Sequence, residues 1–115
     1  MKQQYILTDH AIQRYESRTN KSKQNTKHRM LRDLHATRNK KLVKINKILH
    51  VFYTQPSTNV REFIMEEKNG KYIVTTVINR NRHDSEIAYQ NRLKQKKNLK
   101  KIINKCLQMI WNGIY

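Results

Sequence analysis

His10, Arg14 and Arg18 stand at i, i+4 and i+8. On a helix turning 100° per residue they fall within about 80° of one another. Their stripe flanks, and does not oppose, the apolar positions Ala11, Ile12 and Tyr15. A stripe so placed is predicted at a lip where the helix meets the rest of the fold. Metal-free RNA cleavage needs three groups: a base for the 2′-OH proton, a cation for the pentacovalent phosphate, and an acid for the leaving 5′ oxygen. Histidine titrates near neutrality and suits the first and last roles. Arginine offers a bidentate fork for the phosphate. The plain alternative for each of the three is an exposed, solvated helix residue.

The element holding these residues has local start signals. Residues 5–7 are a short apolar, strand-like run, Thr8 is a plausible N-cap, and Asp9 falls in the first turn, where the helix dipole favours an anion. A polar loop over residues 20–25 precedes a second helix starting near Thr26, with Met30, Leu31 and Leu34 inward. The run 48–54, ILHVFYT, is rich in β-formers and ends at the turn signal Gln55-Pro56-Ser57. Two further strands over 60–66 and 72–79 are joined through Asn69-Gly70, a strong hairpin signal. Residues 41–46 fit either a first strand or the tail of the second helix.

A long helix is predicted from about Ser85, with Leu99, Ile102, Ile103, Cys106, Leu107 and Ile110 on one stripe and Lys94, Lys97, Lys101 and Lys105 on the other side. The stripe reads as core against the sheet, with a homodimer interface as the alternative to a monomer. The fold expected is α+β: two N-terminal helices on a three- to four-stranded antiparallel sheet, then a long basic C-terminal helix. Residues 1–115 read as one domain, with 85–111 as a helical extension.

The 115 residues carry 25 Lys+Arg against 8 Asp+Glu, a formal charge of +17. Self-repulsion of this size opposes folding unless a polyanion offsets it, and nucleic acid is the usual one. Residues 17–47 hold eleven Lys/Arg and one acid, Asp33, and residues 90–105 hold seven Lys/Arg and no acid. Lys27, Arg29, Arg32, Lys94, Lys97 and Lys101 in these blocks are expected to contact RNA phosphates, joined by Arg61, Arg80, Arg82 and His83 near strand ends. Phe52, Tyr53, Phe63 and Tyr72 are candidates for base stacking, although aromatics on strands are more often core. Glu62, Glu66 and Glu67 could supply a carboxylate base, but alternate outward positions on a strand are commonly solvated. His28, His35 and His50 have no informative spacing.

Residues 7–18, LTDHAIQRYESR, resemble the opening T-x-HA-x-x-R-x-x-x-R helix of small bacterial and phage toxin-like proteins in the RelE-like branch of the barnase/colicin/RelE ribonuclease superfamily. The later order, a second helix and then antiparallel strands, is similar as well. The resemblance covers roughly residues 5–80. It implies helices packed on a twisted antiparallel sheet and metal-independent endoribonuclease activity at the sheet surface. It carries His10 and Arg14 over as matching positions, and Arg18 after them. The long basic helix from Ser85 is not part of the minimal pattern.

Several classes are disfavoured. Cys106 is the only cysteine, which excludes an internal disulfide and a zinc finger and fits a reducing, cytoplasmic setting. No Gly-rich phosphate loop, nucleophile elbow, paired metal carboxylates or CxxC occurs, so neither metal nor cofactor is expected. No stretch is apolar enough to span a bilayer. The leading expectation is a basic RNA-binding protein, ribosomal or messenger RNA being its target, with metal-independent endoribonuclease activity. The alternative is a non-catalytic phage or mobile-element protein that inhibits a host nucleoprotein by filling its nucleic-acid channel. A DNA-binding regulator is a third reading, which the long turn between the first two helices fits poorly. The charge would also attract an acidic protein partner.

Overall fold

The computed structural model describes the backbone of residues 4–19, 25–55 and 59–111, and the side chains of residues 4–16, 25–55 and 59–102. The chain runs β1 (Tyr5–Leu7), α1 (Asp9–Thr19), α2 (Thr26–His35), β2 (Lys40–Ile45), β3 (Ile48–Thr54), β4 (Asn59–Lys68), β5 (Lys71–Asn81) and α3 (Arg82–Trp111). One sheet holds all five strands in the order β1-β5-β4-β3-β2.

The α+β class and the long C-terminal helix are as expected, but the sheet is larger and is mixed. β1 lies parallel to β5, with Tyr5 opposite Tyr72 and Leu7 opposite Val74, while the other neighbours are antiparallel. A three-residue strand whose partner is far along the chain leaves no local trace of its pairing. Residues 41–46 belong largely to β2, not to the second helix. β5 extends to Asn81, so Arg80 is a strand residue and not part of a following loop.

The turns are made by residues that tolerate positive φ. Asn69 and Gly70 both adopt it, at 54° and 76°, as the tight turn between β4 and β5 requires. Asn46, at 55°, does the same between β2 and β3. The Thr8 hydroxyl accepts from the Ala11 N–H (3.2 Å) and donates to the Val74 carbonyl (2.7 Å), capping α1 and pinning it to β5. Asn81 caps α3 by accepting from the Asp84 N–H at 2.8 Å.

β1 and β2 occupy opposite edges, so α1 and α2 carry the chain across one face of the sheet. Ala11, Tyr15, Met30 and Leu34 pack there on Val51, Phe63, Met65, Val74 and Val77. Side chains alternate along a strand, so Glu62 and its same-facing neighbours point to the other side, where α3 folds back over the sheet. The protein is therefore three layers: α1 and α2, the sheet, and α3.

A polar knot is buried in the first interface. The Tyr15 hydroxyl donates to Asp33 Oδ2 (3.1 Å) and accepts from Arg61 Nη1 (2.9 Å), which also donates to Asp33 Oδ2 (3.0 Å). The knot joins α1, α2 and β4, and the Arg61 guanidinium lies 4.5 Å from the Tyr15 ring centre. Burial, then the negative charge of Asp33, push the Tyr15 hydroxyl up to about 12 from 10.0. A folded-state value above the unfolded one stabilises fully below pH 10, and this contribution disappears as pH rises towards 12. Tyr15→Phe is expected to cost about 1–2 kcal/mol at neutral pH, measured by urea denaturation. It is also expected to reduce the loss of stability between pH 10 and 12 that the parent protein shows.

Candidate nucleic-acid interface

α1 turns Ala11 and Tyr15 into the core and leaves His10 and Arg14 exposed, one helical turn apart. The Arg18 side chain lies outside the described residues. The predicted phosphate contacts divide into two groups. Lys27 and Arg32 on α2, and Arg82, His83, Lys94, Lys97 and Lys101 on α3, are exposed. Arg61 is buried in the Tyr15–Asp33 knot, Arg80 is engaged by Glu62, and Arg29 is half-buried.

α3 accounts for the largest exposed basic row. Its 30 residues span about 45 Å at 1.5 Å per residue. Lys94, Lys97 and Lys101 follow the i, i+3, i+7 spacing of one face, and no acid follows Glu86 in the sequence. Like charges at this spacing repel and destabilise the helix by a few tenths of a kcal/mol per pair until an anion neutralises them.

The stripe expected to pack on the sheet does so only in part. Leu99 is half-buried, whereas Ile102, one turn on, is 60% exposed. Among the described residues, nothing beneath α3 covers Ile102 at that point. The side chains of Ile103, Cys106, Leu107 and Ile110 lie outside the described residues. Among the described residues no helix is long and apolar enough to cross a membrane.

The strongest cluster of ionisable groups involves residues the sequence did not single out together. Glu62 has no exposed surface. Its carboxylate takes His50 Nδ1 at 2.7 Å, Arg80 Nη1 at 2.5 Å and Arg92 Nε at 3.2 Å. The four side chains come from β3, β4, β5 and α3. Burial pushes the Glu62 carboxyl up, but hydrogen bonds from His50 and Arg80 and the charges of Arg92 and Arg80 outweigh it and hold it at about 2. The expectation that Glu62 would be a solvated outward position is thus corrected. β4 is the central strand and is covered on both faces, so its alternation does not separate buried from exposed. Val60, Arg61, Glu62 and Phe63 are buried in succession and Met65 after the half-buried Ile64, the burial of a strand covered on both faces.

The stacking candidates are also redistributed. Phe63 is in the α1/α2 core and Phe52 is buried under α3, whereas Tyr53 and Tyr72 are half-buried. His35 stands edge-on to Tyr5, with ring centres 5.2 Å apart. The ring nearest an open cavity is Tyr89, which meets Phe52 at 84° with centroids 5.6 Å apart.

Comparison with known protein families, curated proteins and solved structures returns no significant match for this chain. The molecule is a basic α+β protein whose mixed sheet is enclosed between two helical layers.

Glu62→Gln removes the negative charge that three basic groups share. The change is expected to destabilise the fold by roughly 3–5 kcal/mol, as removing one partner from a buried ion cluster does. A folded-state value of about 2 against 4.5 means that the stabilisation is present above pH 4.5 and is lost as pH falls towards 2. Urea midpoints measured from pH 6 to pH 2.5 should fall steeply for the parent protein and much less for the variant.

Proposed function

We propose that this protein binds RNA, gripping the phosphate backbone through the exposed basic faces of α3 and α2. The observation that carries this reading is the lysine row Lys94, Lys97 and Lys101, exposed along a helix that has no acid after Glu86. Such a row follows a polyanion, and each phosphate it neutralises releases counterions. Lys27 and Arg32 on α2 add exposed cations, Arg32 lying 3.8 Å from Asp33, the single acid of that helix, which Arg61 also engages. RNA is favoured over duplex DNA by the resemblance of residues 7–18 to RelE-like ribonucleases and by the length of the sequence between α1 and α2, residues 20–25, which exceeds the turn of about 3–4 residues in a helix-turn-helix.

A second reading, metal-independent endoribonuclease activity, is favoured by His10 and Arg14, exposed together on one flank of α1. In this reading His10 moves the proton, and Arg14, with Arg18, stabilises the phosphorane. The 2′ oxygen attacks phosphorus, the bond to the 5′ oxygen breaks, and that oxygen leaves with a proton, giving a 2′,3′-cyclic phosphate end.

Purified protein incubated with total bacterial RNA in EDTA separates the readings. If His10 is catalytic, His10→Ala lowers the appearance of cyclic-phosphate ends about 10²- to 10⁴-fold and leaves gel-shift affinity unchanged. RNA that is shifted but never cut supports a non-catalytic binder, as expected of an inhibitor of a host nucleoprotein. Replacing Lys94, Lys97 and Lys101 with Gln is expected to reduce the slope of log affinity against log salt by about 2, at roughly 0.7 per single-strand phosphate contact. An unchanged slope would remove α3 from the interface.

A further inference from the structure

The cleft of about 420 Å³ beneath the start of α3 has the size of a small-ligand site, about 300–1,000 Å³ being usual. Phe52 and Val60, 2% and 6% exposed, form its apolar floor. Tyr89 lines it edge-on to Phe52. Ser85, 5% exposed, lines it too. Glu86 lies at the rim, 3.0 Å from Lys41, whose Nζ is 4.9 Å from the Tyr89 ring centre. Arg82, exposed at the first residue of α3, completes the rim.

A flat apolar floor beside an aromatic ring accommodates a planar heterocycle, and every nucleobase has a π-face to offer. The Ser85 hydroxyl and the rim carboxylate of Glu86 can together hydrogen-bond an edge of that heterocycle. A guanidinium at the mouth suits the attached phosphate. From this arrangement we infer that the cleft takes one unpaired nucleotide of the bound strand, its base against Tyr89 and its phosphate at Arg82. The inference rests on the RNA-binding reading and adds a base-selective subsite to it. A carboxylate accepts hydrogen bonds and cannot donate them, so Glu86, held between Gln90 and Lys41, favours a base with an exocyclic amino group over one with a carbonyl at that position, as uracil has at C4.

Anisotropy titrations of fluorescein-labelled ten-nucleotide oligo(C) and oligo(U) in EDTA test the inference, since the two bases differ in an amino group against a carbonyl. The parent protein should bind oligo(C) more tightly, and Glu86→Ala should bring the two affinities together. Tyr89→Ala should weaken oligo(C) binding about 5- to 150-fold, the range of one base–aromatic stack, without changing the salt slope. Tyr89→Phe, which keeps the ring, should restore the binding, and circular dichroism checks that each variant is folded. Folded Tyr89→Ala that binds oligo(C) like the parent would overturn the subsite while leaving RNA binding in place. A parent protein that binds neither oligonucleotide would overturn the RNA-binding reading itself.

Discussion

The buried carboxylate of Glu62 is the constraint around which the sheet and α3 are arranged. An isolated ionised carboxylate in the interior is very costly, so it must be met by cations and hydrogen-bond donors with suitable geometry. His50, Arg80 and Arg92 come from three different elements to meet it. The requirement on Arg92 draws α3 back across the sheet, and the Phe52–Tyr89 contact and the Lys41–Glu86 pair hold its first turns in the same position. With α3 so fixed, Lys94, Lys97 and Lys101 face solvent, and the cleft at Phe52 and Tyr89 forms beneath its first turns.

The two buried polar clusters divide the labour between the two faces of the sheet. Tyr15, Asp33 and Arg61 tie both N-terminal helices to β4, and the Glu62 cluster ties α3 to the opposite face of the same strand. Adjacent residues of β4, Arg61 and Glu62, thus anchor the two helical layers. Two of the 8 acids in the sequence, Asp33 and Glu62, are taken up in this way together with Arg61, Arg80 and Arg92, so the basic surface is carried by the remaining lysines and arginines.

Local signals were sufficient for local elements. Thr8 as the cap of α1, Thr26 as the start of α2, and Asn69-Gly70 as the turn between β4 and β5 could be read from a few residues each, because each signal acts through its own backbone. The parallel pairing of β1 with β5 could not, since it depends on where α1 and α2 return the chain. Exposed lysines on α3 followed from helical spacing, but the extent of the apolar stripe did not: whether Ile102 is covered depends on what lies beneath α3 at that point. The Glu62 cluster was hidden for a related reason. His50, Glu62, Arg80 and Arg92 have no common spacing, and only the hairpin registers and the return of α3 bring them together. His10 and Arg14 keep the helical spacing read from the sequence, and their exposure fits the plain alternative of solvated helix residues equally well.

The central claim is that this charge distribution exists to hold RNA, and the affinity of the intact protein for a single-stranded RNA across a salt series tests it most directly. The account predicts that log affinity falls linearly with log salt between 50 and 200 mM, with a slope set by several phosphate contacts at about 0.7 each, and that duplex DNA of the same length gives weaker binding at each salt concentration. Affinity for RNA that is absent at 50 mM salt, or that falls below that for duplex DNA throughout the series, would contradict it.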